Sequence, residues 1–349
     1  MNEDKLNSLV GRFLHDLGGA FSIPLVQIGE RYGLYETLHQ KGPLTVDAFA
    51  HETGLHERYL REWLAAQAAS DYISYDPDSE EFSMTEEQAF ILANPDSPFY
   101  LAPAFGSAAA FVDNREKVEQ AFQTGNGIAW GDQSQCLSCA VARFFRPGYH
   151  NHLIQAWLPS LDGVVAKLEA GAEIADVGCG HGLSTAIMAE AFPNSRFTGY
   201  DFHAPSIEAA RAHAAELDLP NLSFEVHRAK DLPKTYDLVT LFDCLHDLGD
   251  PVGAMQSIRK SLKADGSCMI VEPMAGNQIE DNLNPVGRLF YSASTMVCIP
   301  TSLAQEVGAA LGAQAGEAKL TEVVTSGGGF SSCRRASETP FNLILEAKP

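Results

Sequence analysis

Up to residue 170 the apolar positions recur mostly three and four apart, and from residue 173 onward short apolar runs take turns with helical stretches. The first regime predicts helices. Phe21, Leu25, Ile28 and Tyr32 open one, Thr45 caps a short one through Ala50 that Gly54 ends, and Leu60, Trp63, Leu64 and Ala68 stripe the next. Tyr72 to Tyr75 and Phe82 to Met84 read as two short strands joined by Asp76-Pro77-Asp78-Ser79, a turn with proline and Asx chemistry. Three helices and a two-stranded hairpin make residues 1 to 95 a winged helix. Residues 96 to 170 read as a helical connector interrupted by the loop Gly125 to Gly131. Its last helix carries Trp157, Leu158, Leu161, Val165 and Leu168 on its buried face, and Gly171 stops it.

The second regime predicts an α/β sheet over residues 171 to 349. Seven strands are expected, at Glu173 to Val177, Arg196 to Tyr200, Leu222 to Val226, Tyr236 to Phe242, Ser267 to Val271, Leu320 to Thr325 and Phe341 to Ala347.

Composition narrows the function. The 349 residues are 45% hydrophobic and 20% charged, enough to bury a sizeable core in two units of unequal size. A net charge of -21 repels phosphate backbones and anionic lipid, so neither nucleic acid nor membrane is an expected partner. Residues 1 to 95 hold six Lys/Arg against sixteen Asp/Glu, and the candidate recognition helix mixes Glu57, Arg58, Arg61 and Glu62. That lacks the basic stripe of a DNA reader and points instead to a homodimerising, substrate-covering domain. The N-terminus reads as neither signal nor transit peptide, and no run approaches the roughly 20 apolar residues of a spanning helix, so a cytoplasmic location is expected. Seven cysteines without a secretory signal argue against a disulfide framework. Cys136 and Cys139 form a lone C-x-x-C with no second pair, and no metal site is expected.

The chemistry concentrates after the first predicted strand. Ile174 to Gly182 reads as a buried strand running into Gly178, Cys179, Gly180, His181 and Gly182, followed by a helix from Leu183 to Ala191. Glycines let the backbone turn sharply and a ligand approach without a Cβ clash, while the helix N-terminus offers unpaired N–H groups. A nicotinamide fingerprint would need glycine at 183, where Leu183 stands. The third glycine, one position early at 182, favours S-adenosylmethionine. Asp201 ends the second strand, nineteen residues after Gly182, where a carboxylate accepts hydrogen bonds from ribose hydroxyls.

With DVGCGHG (176 to 182), FDCLHDLGDP (242 to 251), NPVGRLFYSAS (284 to 294) and RRASETPFNLILEA (334 to 347), the chain resembles the class I S-adenosylmethionine-dependent methyltransferases, and more closely a bacterial subfamily with an N-terminal winged helix. The resemblance implies a Rossmann-like sheet of order 3-2-1-4-5-7-6 with the seventh strand antiparallel. It also implies that Asp176, Gly178, Cys179, Gly180 and Gly182 form the cofactor turn, that Asp201 holds the ribose and that Phe202 sits beside adenine. Asp243, at the end of the fourth strand, is expected on the cofactor side. Arg228 stands where many class I enzymes have an acid for the adenine amino group, so Ala229 and Lys230 through their backbone, or Asp231, are the candidate readers. Arg146 or Tyr149 is placed to meet the methionine carboxylate.

The reacting centre is expected at the end of the fourth strand. HDLGD resembles the HDWSD-type segment of winged-helix O-methyltransferases, in which the histidine is the general base, and this makes His246 the catalytic candidate. Imidazole, with an ordinary pKa of about 6.5, suits proton abstraction near neutrality. Asp247 or Asp250 either orients the ring or caps the helix that Pro251 begins. Glu272, Asn284, Arg288 and Tyr291 are the candidates for the acceptor, the last three on a segment that interrupts the strand-helix rhythm. The expected activity is methyl transfer to a small molecule at oxygen. Methylation at nitrogen or sulfur, and a winged-helix regulator that senses S-adenosylmethionine, are the alternatives.

Overall fold

Side-chain caps set the starts of the N-terminal helices. In the computed structural model, which describes residues 1–134 and 136–349, the Asn2 side chain accepts from the Lys5 amide to begin α1 (Glu3–Tyr32), and Gly33 in the left-handed region ends it. After α2 (Leu34–Lys41), Thr45 caps α3 (Val46–Thr53), and α4 (Glu57–Ala69) follows. The hairpin β1 (Ser74–Asp76) and β2 (Glu81–Ser83) pairs Tyr75 with Phe82, its turn tightened by Asp78 N–H donating to Asp76 Oδ1 at 2.9 Å. A capping box between Thr85 and Gln88 starts α5 (Glu86–Leu92). Leu34, Tyr35, Leu38, Phe49, Leu60, Trp63, Leu64 and Phe82 bury together in this unit, which comprises residues 1–110 and 143–147.

The α1 stripe differs from expectation. Phe21, Ile28 and Tyr32 are exposed, and the buried side is Ser22, Val26 and Gly29. A Cβ at Gly29 would enter the Tyr35 ring, so the close approach of α2 selects the small-residue face rather than the larger apolar one.

The chain continues through α6 (Ala104–Thr124), α7 (Leu137–Gly148), a π-helical stretch Tyr149–Trp157 and α8 (Val164–Ala170). The expected last helix of the connector is broken by Gly163, at φ 70°, so Val164 is buried instead of Val165.

The second unit, residues 111–142 and 148–349, is built on a seven-stranded sheet. Its elements are β3 (Glu173–Val177), α9 (Leu183–Ala191), β4 (Arg196–Asp201), α10 (Ala204–Leu217), β5 (Leu222–Val226), β6 (Tyr236–Phe242), α11 (Pro251–Ser261), β7 (Leu262–Pro273), α12 (Pro285–Ala293), α13 (Ile299–Leu303), α14 (Gly316–Glu322), β8 (Ser332–Glu338) and β9 (Asn342–Lys348). The order is β5-β4-β3-β6-β7-β9-β8, which in strands of this sheet is the expected 3-2-1-4-5-7-6. β9 runs antiparallel to both neighbours, and β3 to β7 are parallel. The carboxyl ends of β3, β4 and β6 therefore lie side by side, which is where the Gly178 turn, Asp201 and Asp243 sit.

One expected strand is wrong. Leu320 to Thr325 is helical, α14 and a π-turn over Val323–Gly327, and the sixth strand is Ser332–Glu338. Leu320, Val323 and Val324 have helical spacing and enter the core together, whereas the polar SCRRASE segment is an exposed edge strand held by its ladder to β9. Among the described residues no helix is long and apolar enough to cross a membrane.

Candidate active site

The glycine turn is fixed from beneath by a buried carboxylate. Asp176, fully buried, accepts from Ser184 Oγ at 2.8 Å and Thr185 Oγ1 at 2.6 Å on the first turn of α9, and from Thr240 Oγ1 at 3.0 Å on β6. Burial pushes its carboxyl up to about 6, the three hydroxyls working the other way. Its side chain thus clamps strand to helix. Gly178 needs its glycine doubly: φ is 73°, and a Cβ would sit 2.7 Å from Cys244 Sγ. At Gly180 a Cβ would meet nothing within 4 Å, so this face of the turn is open to a ligand. The Cys179 side chain packs inward with Ile207, Ala210 and Phe224, leaving its backbone as the part within the turn.

Asp201 completes the turn. Its Oδ2 accepts from Gly180 N–H at 2.9 Å and its Oδ1 from His203 N–H at 2.8 Å, so both oxygens are aimed and each keeps a lone pair for a further donor. Beside it lies a cavity of about 330 Å³ lined by Trp130, Phe202, Arg228, Ala229, Leu248 and Gln305, among others. Lys230 is at the same cavity, tied by its ammonium to Asp250 at 2.8 Å. Asp250 also caps α11 through Gly253 N–H, so it anchors this rim and does not orient His246.

The far side of the turn is acidic. Asp243 adopts φ 50° after β6, and its carboxyl is held by Tyr149 Oη at 3.5 Å and Asn342 Nδ2 at 3.3 Å. Burial and the neighbouring Glu272 charge push this carboxyl well above its ordinary range. A cation arriving here would restore its charge, which is what the sulfonium and ammonium of S-adenosylmethionine would do. The aimed Asp201 oxygens, the open Gly180 face and the Trp130 and Phe202 cavity fit the ribose and adenine in the same way.

His246 is 3% exposed, on the short turn Leu245–Asp247 that follows β6. Its Nδ1 lies 2.5 Å from Glu272 Oε2, and Glu272 Oε1 accepts Leu245 N–H at 2.9 Å. Glu272, 1% exposed at the end of β7, is therefore the ring's anchor. Nε2 is 3.2 Å from Asp247 Oδ1. Burial favours the neutral ring, but the Glu272 and Asp247 charges outweigh it and hold His246 well above the ordinary imidazole range.

The remaining candidates separate. Asn284 is the N-cap of α12, accepting Gly287 N–H at 2.9 Å, so its side chain is engaged in local structure. Arg288 is exposed and Tyr291 half-buried on the same helix. Arg146 lies on α7. Trp130, Leu248, Gln305, Cys298 and Asn342 were not anticipated; only Trp130, an aromatic inside the Gly125 to Gly131 loop, carried a visible signal.

Sheet order, glycine turn and strand-end acid define the class: the second unit has the class I methyltransferase architecture. Comparison with known proteins makes this particular. Residues 168–328 match the family model described as a methyltransferase domain, and residues 20–94 that of an Rv2258c-like winged HTH domain, so the chain joins these two domains. A putative O-methyltransferase from Nostoc punctiforme PCC 73102 has a similar structure, with TM-score 0.72 and 17% identity over 97% of this chain and 98% of that one. The mitomycin 7-O-methyltransferase gives 0.68 and 21% over 99% and 100%. Human N-acetylserotonin methyltransferase in complex with SAM gives 0.68 and 17% over 97% of each chain. In sequence, the ubiquinone biosynthesis O-methyltransferase of Neisseria meningitidis serogroup A is 33% identical over 101 residues, 28% of this chain. The matched stretch spans 42% of that relative's length.

Proposed function

We propose that this protein is an S-adenosylmethionine-dependent methyltransferase of a small molecule, acting at oxygen with His246 as general base. The observation that carries the reading is the pair of aimed carboxylates, Asp201 at the open glycine turn and Glu272 behind the His246 ring, placed at the carboxyl ends of β4 and β7 on either side of β3 and β6 in one sheet. When bound, S-adenosylmethionine supplies a methyl group on an already activated sulfur. The chain's task is alignment, exclusion of water and removal of the acceptor's proton. Gly178, Gly180, Gly182 and Asp201 bind the ribose side. Trp130, Phe202, Ala229 and Lys230 bound the adenine cavity. Asp243 with Tyr149 faces the cationic end. Glu272 fixes Nδ1 and leaves Nε2 as the atom that receives the acceptor proton once the ring has released its own, so turnover should rise as pH passes through the raised His246 pKa.

The O-methyltransferase names of the structural neighbours support an oxygen acceptor. The regulator reading is not favoured, because Arg58 and Arg61 of α4 are paired with Glu62 at 2.5 Å and Glu57 at 3.7 Å and leave no basic stripe. We also propose a homodimer. Leu9, Phe13, Leu14, Leu17 and Phe21 on α1 are 49 to 68% exposed, an apolar helical surface suited to the same helix of a second copy.

Calorimetry with S-adenosylmethionine, followed by a screen of phenols, acids, thiols and amines with labelled donor, tests the function. Absence of donor binding refutes it, and labelling confined to amines or thiols refutes the oxygen assignment.

A further inference from the structure

His246 Nε2, Asp247 Oδ1 and Cys298 Sγ come together past the carboxyl end of β6, each within 4.8 Å of the others. Cys298 ends the π-turn Ser294–Cys298, far along the chain from the other two. His246 and Cys298 are 3% and 7% exposed, and the Asp247 oxygen is shielded from solvent. Asp247 Oδ1 lies 3.2 Å from Nε2, and the Cys298 thiol faces both the ring and this carboxyl. Three ligand-type groups from two separate chain segments thus converge in one buried place. The other side of the ring is fixed by Glu272, the carboxylate–histidine arrangement that orients an imidazole as a metal ligand and raises its basicity.

We propose that His246, Asp247 and Cys298 bind a zinc ion, leaving the fourth tetrahedral position to water. One nitrogen, one carboxylate oxygen and one sulfur form a set that zinc accepts, while the sulfur and nitrogen disfavour magnesium and calcium. The inference deepens the proposed function and rests on it in one respect: ligation uses the Nε2 lone pair that would take the acceptor's proton. Zinc-loaded protein therefore still holds the donor but turns over hydroxyl acceptors slowly.

The test uses the full chain with Cys136→Ser and Cys139→Ser, which removes two exposed thiols able to hold metal by themselves. After chelator treatment, Co²⁺ titration should give a thiolate-to-cobalt charge-transfer band saturating at one equivalent, displaced by Zn²⁺. Cys298→Ser should abolish the band and weaken Zn²⁺ binding at least about tenfold. No band in the parent protein, or a band that survives Cys298→Ser, overturns the site. The parent titration needs no variant at 298, so a folding defect there leaves the test intact. Turnover with and without one equivalent of Zn²⁺ separates the two readings. Loss of turnover with donor affinity unchanged supports both, whereas a cobalt band together with undiminished turnover keeps the zinc site and overturns the base.

Discussion

Replacing Glu272 by glutamine isolates one charge. The variant keeps the side chain's shape and the oxygen that accepts Leu245 N–H, but removes the negative charge 2.5 Å from His246 Nδ1. Hydrogen bonds to charged groups contribute about 1.5–3 kcal/mol. His246 should therefore titrate lower in Glu272→Gln, because the variant loses the first of the charges that raise it. The sign follows from the folded state holding the ring above its ordinary value. The stability that Glu272 lends to the charged ring is fully present below about pH 6.5 and is lost as pH rises through the folded pKa. The variant should lack that dependence. An amide donor facing Nδ1 also favours the tautomer with its proton on Nε2, which disables the base, so turnover should fall by about 10²–10⁴. Nitrogen-15 imidazole spectra of the parent and variant, assigned with His246→Gln, give the shift without an acceptor. A His246 midpoint that stays in place or moves upward would refute the reasoning.

Three further outcomes follow from the same geometry. Asp176→Asn cannot titrate, whereas the Asp176 carboxyl, at about 6 when folded, binds a proton on folding; between pH 4 and 7 the parent should lose about 2 kcal/mol relative to the variant, read from urea midpoints at the two pH values. Asp201→Asn should weaken S-adenosylmethionine binding by about ten- to a hundredfold in calorimetry with the thermal midpoint little changed, and unaltered affinity would remove Asp201 from the ribose site. Phe13→Glu with Leu17→Glu should convert a dimer to a monomer in light scattering, and a dimer that persists would place the interface elsewhere.

The features legible in the sequence are those written in short-range chemistry. The DVGCGHG turn showed through glycines whose backbone no other residue tolerates well, and β3, β4, β6 and β7 through buried runs that suit a sheet covered on both faces. Features decided by distant packing were hidden. The LTEVVT segment has β-branched residues and a strand's composition, but its i, i+3, i+4 apolar set was recruited by the core as helix. The true edge strand is polar and is specified mainly by its partner β9. Phe21, Ile28 and Tyr32 have the periodicity of a buried face, yet Gly29 admits Tyr35 and turns that face outward. In the site, His246 and Glu272 were each visible as strand-end residues, but their 2.5 Å contact depends on β6 and β7 being neighbours. Cys298 and Asn342 could not be found from local pattern, because their place at the site depends on how the helical segment after α12 and the strand β9 pack against the end of β6.

β9 is inserted between β7 and β8, both made before it, and it carries Asn342 to the Asp243 carboxyl. During synthesis the sheet therefore waits with a gap: β7 has an open edge until residues 342–348 leave the ribosome and thread in antiparallel. Such long-range closure is slow, and an apolar strand such as Leu343 to Leu345 is vulnerable to wrong pairing in the interval. Heterologous expression should consequently favour chaperone supply, and a nascent chain arrested before residue 342 should be unable to retain the methyl donor.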